Sequence, residues 1–226
     1  MYIDMHIHTR YSNDSHMELE DAIVYAKDIG LDGLCVTDHE SMDAQAEAAT
    51  LAQKHDFLVL VGMEVLTRQG DLLIFGLEEV PRPLMDAGAL VREVTWRGGI
   101  AISAHPFRNN ERGLGNHINQ LSQLSGIEVL NGSTLAHHNL QALHLSRKLG
   151  LPGLGGSDAH QVDRIGRYVS VFPGRIRDLQ DLIQAIKAHQ VQPLAFKEGM
   201  GSLSPGVFQE PAVWTPFTCP APGSMG

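Results

Sequence analysis

The chain has 226 residues, 43% of them hydrophobic and 19% charged, which fits one large globular unit, since α/β barrels of roughly 200–250 residues commonly fold as a single domain. It is long enough to hold a core without disulfides or structural metal, and acids outnumber bases 26 to 17, a net charge of −9 that argues against a general basic grip on long nucleic acid. Cys35 and Cys219 form no disulfide framework, the start MYIDMHIH lacks a signal-peptide pattern, and no apolar run approaches the roughly 20 residues of a membrane helix, so a soluble, cytoplasmic protein is expected.

Short β-branched or apolar runs alternate with longer amphipathic stretches, the pattern of repeated βα units around a parallel sheet. Strands are expected near 2–7, 33–37, 57–62, 71–76, 99–104, 126–130, 152–156 and 167–172. Between the first two, Ser15 and Glu18 have capping-box spacing, and Leu19, Ile23, Tyr25, Ala26 and Ile29 run at helical spacing to a stop at Gly30. Further helices are expected near 42–55, 84–97, 117–124, 137–149 and 178–189. Seven or eight strands with short returns predict a closed or nearly closed barrel, with an open doubly wound sheet as the alternative. Residues 199–226 carry five Gly, five Pro and one charge, Glu210, and read as a tail that is either disordered or a docking strap, so the domain is placed at 1–198.

The sequence holds twelve histidines, and five of them are placed rather than scattered. In the first strand Asp4, His6 and His8 alternate with Ile3, Met5 and Ile7, so a period of two puts the polar side chains on one face. Two imidazoles spaced by two beside a carboxylate form half a metal site. GLCVTDH then ends in Asp38 and His39, FLVLVGME in Glu64, IAISAH in His105, and GLGGSDAH in Asp158 and His160. Strand-end loops of a βα barrel converge on one face, so these groups can meet in space. Imidazoles and carboxylates without thiolates suit catalytic Zn²⁺, Mn²⁺ or Fe²⁺. Eight candidates (His6, His8, Asp14, His39, Glu64, His105, Asp158 and His160) exceed one ion, so two or three ions are expected, with Glu64 as a natural bridging carboxylate and Asp158 as a further candidate for that role. Such ions would invert the acidic balance locally, so the net charge does not exclude an anionic substrate.

The ordered motifs DMHIHTRYSND, VTDH, GME, AHP and GSDAH resemble those of the polymerase and histidinol phosphatase (PHP) family, a metal-dependent branch of the amidohydrolase-like barrels. The resemblance implies a distorted seven-stranded (βα) barrel and a trinuclear centre that hydrolyses phosphate esters. It assigns His6, His8, Glu64 and Asp158 to a first ion, Glu64 and His105 to a second, and Asp14, His39 and His160 to a third. Asp4 and Asp38 are expected to orient the imidazoles from behind. Where family members often carry a histidine before the fourth strand this chain has Asp71, an oxygen ligand or a turn aspartate. Asp14 is preferred to Asn13 as the loop ligand because a ligand must be anionic or an imidazole. Only 40 residues separate Glu64 from His105, where longer nucleotide-cleaving relatives insert a helical cap, so a more open pocket is expected.

Phosphate recognition calls for guanidinium groups. Arg108, three residues beyond His105, is the first candidate, with Arg10 and Arg164 behind it. Asn131, at the end of the strand that holds Glu128, is a polar contact, and His137 and His138 follow it. His16, His55, His117, His144 and His189 read as surface residues and Cys35 as a buried thiol. The expected reaction is attack on phosphorus by hydroxide held between two ions, Arg108 neutralising phosphoryl oxygens and His39 or His160 serving the leaving oxygen. Small phosphomonoesters and nucleotides are the expected substrates, with exonuclease-like cleavage of short oligonucleotide ends, or a non-catalytic metal-binding regulatory barrel, as alternatives. No long nucleic acid and no membrane is expected as a partner.

Overall fold

The computed structural model describes residues 1–196, so the expected tail, Cys219 included, lies outside the described residues. In chain order the elements are β1 (Tyr2–Ile7), α1 (Leu19–Asp28), β2 (Gly33–Val36), α2 (Gln45–His55), β3 (Leu58–Val61), β4 (Met63–Leu66), β5 (Asp71–Phe75), α3 (Ala87–Trp96), β6 (Ile100–Ser103), β7 (Gly126–Asn131), α4 (Ala136–Leu149), β8 (Gly153–Gly156), β9 (Tyr168–Val171), α5 (Leu179–Lys187) and β10 (Gln192–Ala195). Helix starts show where local signals held. Asp86 and Asp178 cap α3 and α5 by accepting backbone N–H groups, whereas the expected Ser15 box does not form. Glu18 occupies the N-cap of α1 without a side-chain bond to the helix, and the Ser15 hydroxyl is bonded instead to the His8 carbonyl and the Met17 N–H. Gly30 does stop α1, at φ +85°, a conformation that suits glycine. The helix expected near 117–124 is a 3-10 helix at Gly115–Gln120.

The strands form two five-stranded sheets, ordered β10-β9-β1-β2-β3 and β4-β5-β6-β7-β8. The expected parallel array holds for β1-β2-β3 and for β6-β7-β8, while β5 runs antiparallel to both its neighbours. The reversal follows from chain length. Four residues, 67–70, connect β4 to β5, whereas a parallel crossover needs about a dozen. Thr67 closes that hairpin by bonding the Gly70 carbonyl. The sequence reading missed β4, absorbed into the GME loop, and β10, whose Pro193 suits its place at a sheet edge.

Three apolar layers hold the sheets. Ile3, Met5, Cys35 and Leu60 of the first sheet meet Leu73, Phe75, Ile100, Ile102 and Leu154 of the second, with Leu182, Ile183 and Ile186 of α5 in the same cluster. Helices α1 and α2 pack with Ile7, Leu34 and Val36, and α3 and α4 with Val65, Leu72, Ile74 and Val129. Hydrogen bonding passes between the sheets at isolated bridges, Ile7 with Ala159 and His39 with Glu64. Both seams run through the histidine motifs.

Candidate metal centre

The seams explain how residues more than 150 positions apart come together. At one, the Asp158 N–H donates to the His6 carbonyl (2.7 Å) and the His8 N–H to the Ala159 carbonyl (2.9 Å), which fixes β1 beside the end of β8. Gly156 permits this approach, since a Cβ there would stand 2.6 Å from the Cβ of His6. At the other seam the Glu64 N–H donates to the Asp38 carbonyl (3.1 Å) and the Glu40 N–H to the Glu64 carbonyl (3.0 Å). His105 and Asp158 both adopt positive φ, +26° and +54°, which disfavours any residue with a side chain. Backbone strain therefore falls on two of the candidate ligands.

Four donors converge at the centre of the cluster. His6 Nε2 and His8 Nε2 lie 3.0 Å apart, each 3.2–3.3 Å from Glu64 Oε2 and 3.3–3.6 Å from Asp158 Oδ1. His105 Nε2 is 2.8 Å from Glu64 Oε1 and 3.8 Å from Asp71 Oδ2. Asp14 Oδ2 stands 3.1 Å from His39 Nε2 and 3.2 Å from His160 Nε2, and His39 Nδ1 reaches back to Glu64 Oε2 at 3.2 Å. Three groups thus have the compactness to hold an ion: His6, His8 and Asp158; Glu64, Asp71 and His105; and His8, Asp14, His39 and His160.

The donor chemistry fits a cation. His6 Nδ1 faces Glu128 Oε1 (3.1 Å) and His8 Nδ1 faces Ser12 Oγ (3.0 Å). If those nitrogens carry the protons, two Nε2 lone pairs and two carboxylate oxygens face one another, an arrangement only a proton or a metal ion can relieve. Titration reflects the same demand. Burial opposes charging His8, yet its bonds to Asp158 and Glu64 raise it to about 9, and Asp158, Glu128 and Glu64 raise His6 well above the usual imidazole value. Against the effect of burial, His6 and its neighbours hold Glu64 and Asp158 well below the usual carboxylate range. Burial, and for Asp71 the charge of Glu64, pushes Asp4 and Asp71 up to about 6.

A pH dependence follows for the metal-free protein. His8, Asp4 and Asp71 all have folded values above their ordinary ones, so their stabilising contribution is full below the unfolded values and is lost as pH rises through about 6 and then about 9. The depressed Glu64 and Asp158 act oppositely, losing their contribution only as pH falls below their ordinary values of 4.5 and 3.8. The melting temperature of chelator-treated protein should therefore fall between pH 6 and pH 9, and added Mn²⁺ or Zn²⁺ should remove the decline. A flat or rising profile would contradict this electrostatic picture.

The groups behind the ligands differ from expectation. Asp4 touches no imidazole; it accepts backbone N–H groups of His6, Ser157 and Gly166. Asp38 binds Thr9 and the Ser12 hydroxyl, acting on His8 only through Ser12. The direct orienting carboxylate is Glu128, buried in β7, which faces His6 Nδ1 and accepts the backbone N–H of the strained His105 (2.8 Å) and the Asn131 amide (3.0 Å). Its signal in sequence was faint, a lone acid at a buried position of an apolar strand. Glu128→Gln should weaken metal binding roughly 10–100-fold, the usual effect of losing such a partner. Competition against a chromophoric chelator would measure this, and unchanged affinity would mean that His6 is oriented by something else.

Arg108 lies against the cluster, bonded to Asp158, to Asn131 Oδ1 (2.7 Å) and to Thr134 Oγ1 (3.2 Å). Arg10 turns outward onto Glu18 and Glu47. Arg164 lines a cleft of about 460 Å³ with Arg167, Ser133, Thr134 and Leu135, and the cleft shares Asp158 and His160 with the metal centre. Sequence reasoning missed Arg112, whose guanidinium forks onto Asp71 and stands beside His39. His137 and His138 contact one another in the first turn of α4 and do not line that cleft. His55 pairs with Glu20, and His16, His117, His144 and His189 are exposed. Cys35 is buried beside Met5. No helix among the described residues is long and apolar enough to cross a membrane.

Fold and site together define an α/β protein whose strand ends present a set of imidazoles and carboxylates able to bind metal ions. Residues 136–191 match the family described as PHP-associated. Over 142 residues, 58% of this chain and 82% of the relative, the sequence is 30% identical to the uncharacterized protein MJ1587 of Methanocaldococcus jannaschii. The fold is similar to that of PsfC from Pseudomonas syringae PB-5123, with a TM-score of 0.66 at 21% identity, covering 85% of this chain and 90% of PsfC. It is also similar to a protein of Bifidobacterium adolescentis provisionally assigned as a metal-dependent phosphoesterase, with a TM-score of 0.60 at 15% identity, covering 70% of this chain and 87% of that one. The chain belongs to the PHP family.

Proposed function

We propose that this protein is a metal-dependent hydrolase of phosphate esters, acting on small phosphomonoesters including nucleotides. The observation that carries the reading is the convergence of His6, His8, Glu64 and Asp158 on one point, with further donor sets sharing Glu64 and His8. His6, His8, Glu64 and Asp158 would hold one Zn²⁺, Mn²⁺ or Fe²⁺ ion, Glu64, His105 and Asp71 a second, and Asp14, His39 and His160 a third. Bound ions supply Lewis-acid polarisation of phosphoryl oxygens and a lowered pKa for water.

The chain's own groups do the rest. Arg108 opposes negative charge on the phosphoryl group, its guanidinium already held at the edge of the centre by Asn131 and Thr134. Glu128 keeps the proton of His6 on Nδ1, freeing Nε2. His39 or His160, both beside Asp14 at the more open edge of the cluster, would serve the leaving oxygen in place of ligating the third ion. The cleft beyond His160, with Arg164 and Arg167 on its wall, favours a second reading in which a short oligonucleotide end is the substrate.

A panel of phosphomonoesters, short oligonucleotides and amides, offered to protein reconstituted with each metal, tests the proposal. Release of inorganic phosphate is expected. Hydrolysis of amides alone, or cleavage of internal phosphodiesters alone, would overturn it.

A further inference from the structure

The PFRNNERGL loop after β6 carries a second arginine that the reading above leaves without a role. Arg112 Nε lies 2.6 Å from Asp71 Oδ2 and its Nη2 3.1 Å from Asp71 Oδ1, while the same Nη2 is 3.3 Å from His39 Nδ1. Asp71 is fully buried next to Glu64, which repels it, and the charged groups acting on its carboxylate are Glu64, Arg112 and His105. The backbone ties the same pair a second time, since the Asp71 N–H donates to the Arg112 carbonyl at 2.7 Å. Gly70 makes the approach possible. Its φ is +142°, and a Cβ there would lie 2.5 Å from Leu114 N and 2.8 Å from Arg112 O. The start of β5 and the 112–114 segment are therefore built against each other.

A carboxylate has about four lone-pair positions, and the guanidinium fork takes one on each oxygen. Oδ2, the oxygen facing His105 Nε2, keeps a free position on that side. From this arrangement we propose that Arg112 is a positioning residue that makes Asp71 a metal ligand, holding its carboxylate turned toward Glu64 and His105, and linking that subsite to the His39 subsite. This rests on the metal centre proposed above. It goes beyond it by naming the residue on which the Asp71 donor depends.

The test is titration of metal-free protein with Mn²⁺ alone, followed by calorimetry and by metal content after gel filtration, with no phosphoester present. Arg112→Gln should weaken one class of ion roughly 10–100-fold, as expected for loss of a group that orients a ligand. Asp71→Asn should remove the same class, and the double variant should bind no worse than Asp71→Asn. Arg112→Lys, which keeps the charge but lacks the fork, should restore part of the affinity. A purely structural role would instead lower the melting temperature of the metal-free protein without singling out one ion, and lysine would not rescue binding. Wild-type or tighter Mn²⁺ binding by Arg112→Gln, or by Asp71→Asn should the first variant fail to fold, would overturn the proposal. If phosphoesters are hydrolysed while those variants bind like wild type, this inference alone fails; if wild type binds no metal, the proposed function fails with it.

Discussion

Asp158→Ala should abolish hydrolysis for practical purposes, a loss of at least about a thousandfold, or ~4 kcal/mol in transition-state stabilisation. The size follows from what this carboxylate touches. Asp158 Oδ1 faces both His6 Nε2 and His8 Nε2, and Oδ2 accepts from Asn131 and Arg108, so one side chain joins the proposed ion site to the groups proposed to meet phosphate. Its removal also leaves two raised imidazoles without their principal anion. Metal content should fall by at least one ion per chain while the circular dichroism of the folded protein is retained. An active Asp158→Ala protein with full metal content would remove the carboxylate from the centre.

Arg108→Ala is expected to leave metal content intact and to lower kcat/KM roughly a hundredfold, ~2.7 kcal/mol, as the loss of one preorganised donor to a phosphoryl oxygen does. Arg108→Lys should recover only a fraction, because an ammonium cannot reproduce the contacts with Asn131 and Thr134 while facing the substrate. The difference between the two variants separates charge from geometry. Steady-state kinetics on the best phosphomonoester would decide it, and a loss of metal in Arg108→Ala would make the arginine a partner of Asp158 rather than of substrate.

The histidine motifs were legible because the chemistry sits on strands, where a period of two and an abrupt polar end after an apolar run survive in a single sequence. His6, His8, His39, Glu64, His105, Asp158 and His160 all follow that rule, and the structure brings them into one cluster. What escaped detection depends on contacts across the fold. Glu128 looks like an ordinary strand acid until the two sheets meet and bring its carboxylate to His6, and Arg112 like a surface arginine until the β4–β5 hairpin brings Asp71 against its loop. Asp4 and Asp38 meet the histidine motifs by indirect contacts that spacing could not specify, Asp4 through the His6 backbone N–H and Asp38 through the Ser12 hydroxyl. The topology was misread at β5 for a simpler reason. Four connecting residues permit only a hairpin there, a constraint visible in the sequence once β4 is recognised as a strand.

The most direct measurement of the central claim is phosphate release from a phosphomonoester by chelator-stripped protein as Mn²⁺ or Zn²⁺ is returned in known equivalents. The account predicts no turnover in the stripped protein and a rise that levels off at two or three ions per chain. Full turnover without metal, or bound metal that never brings hydrolysis, would contradict it.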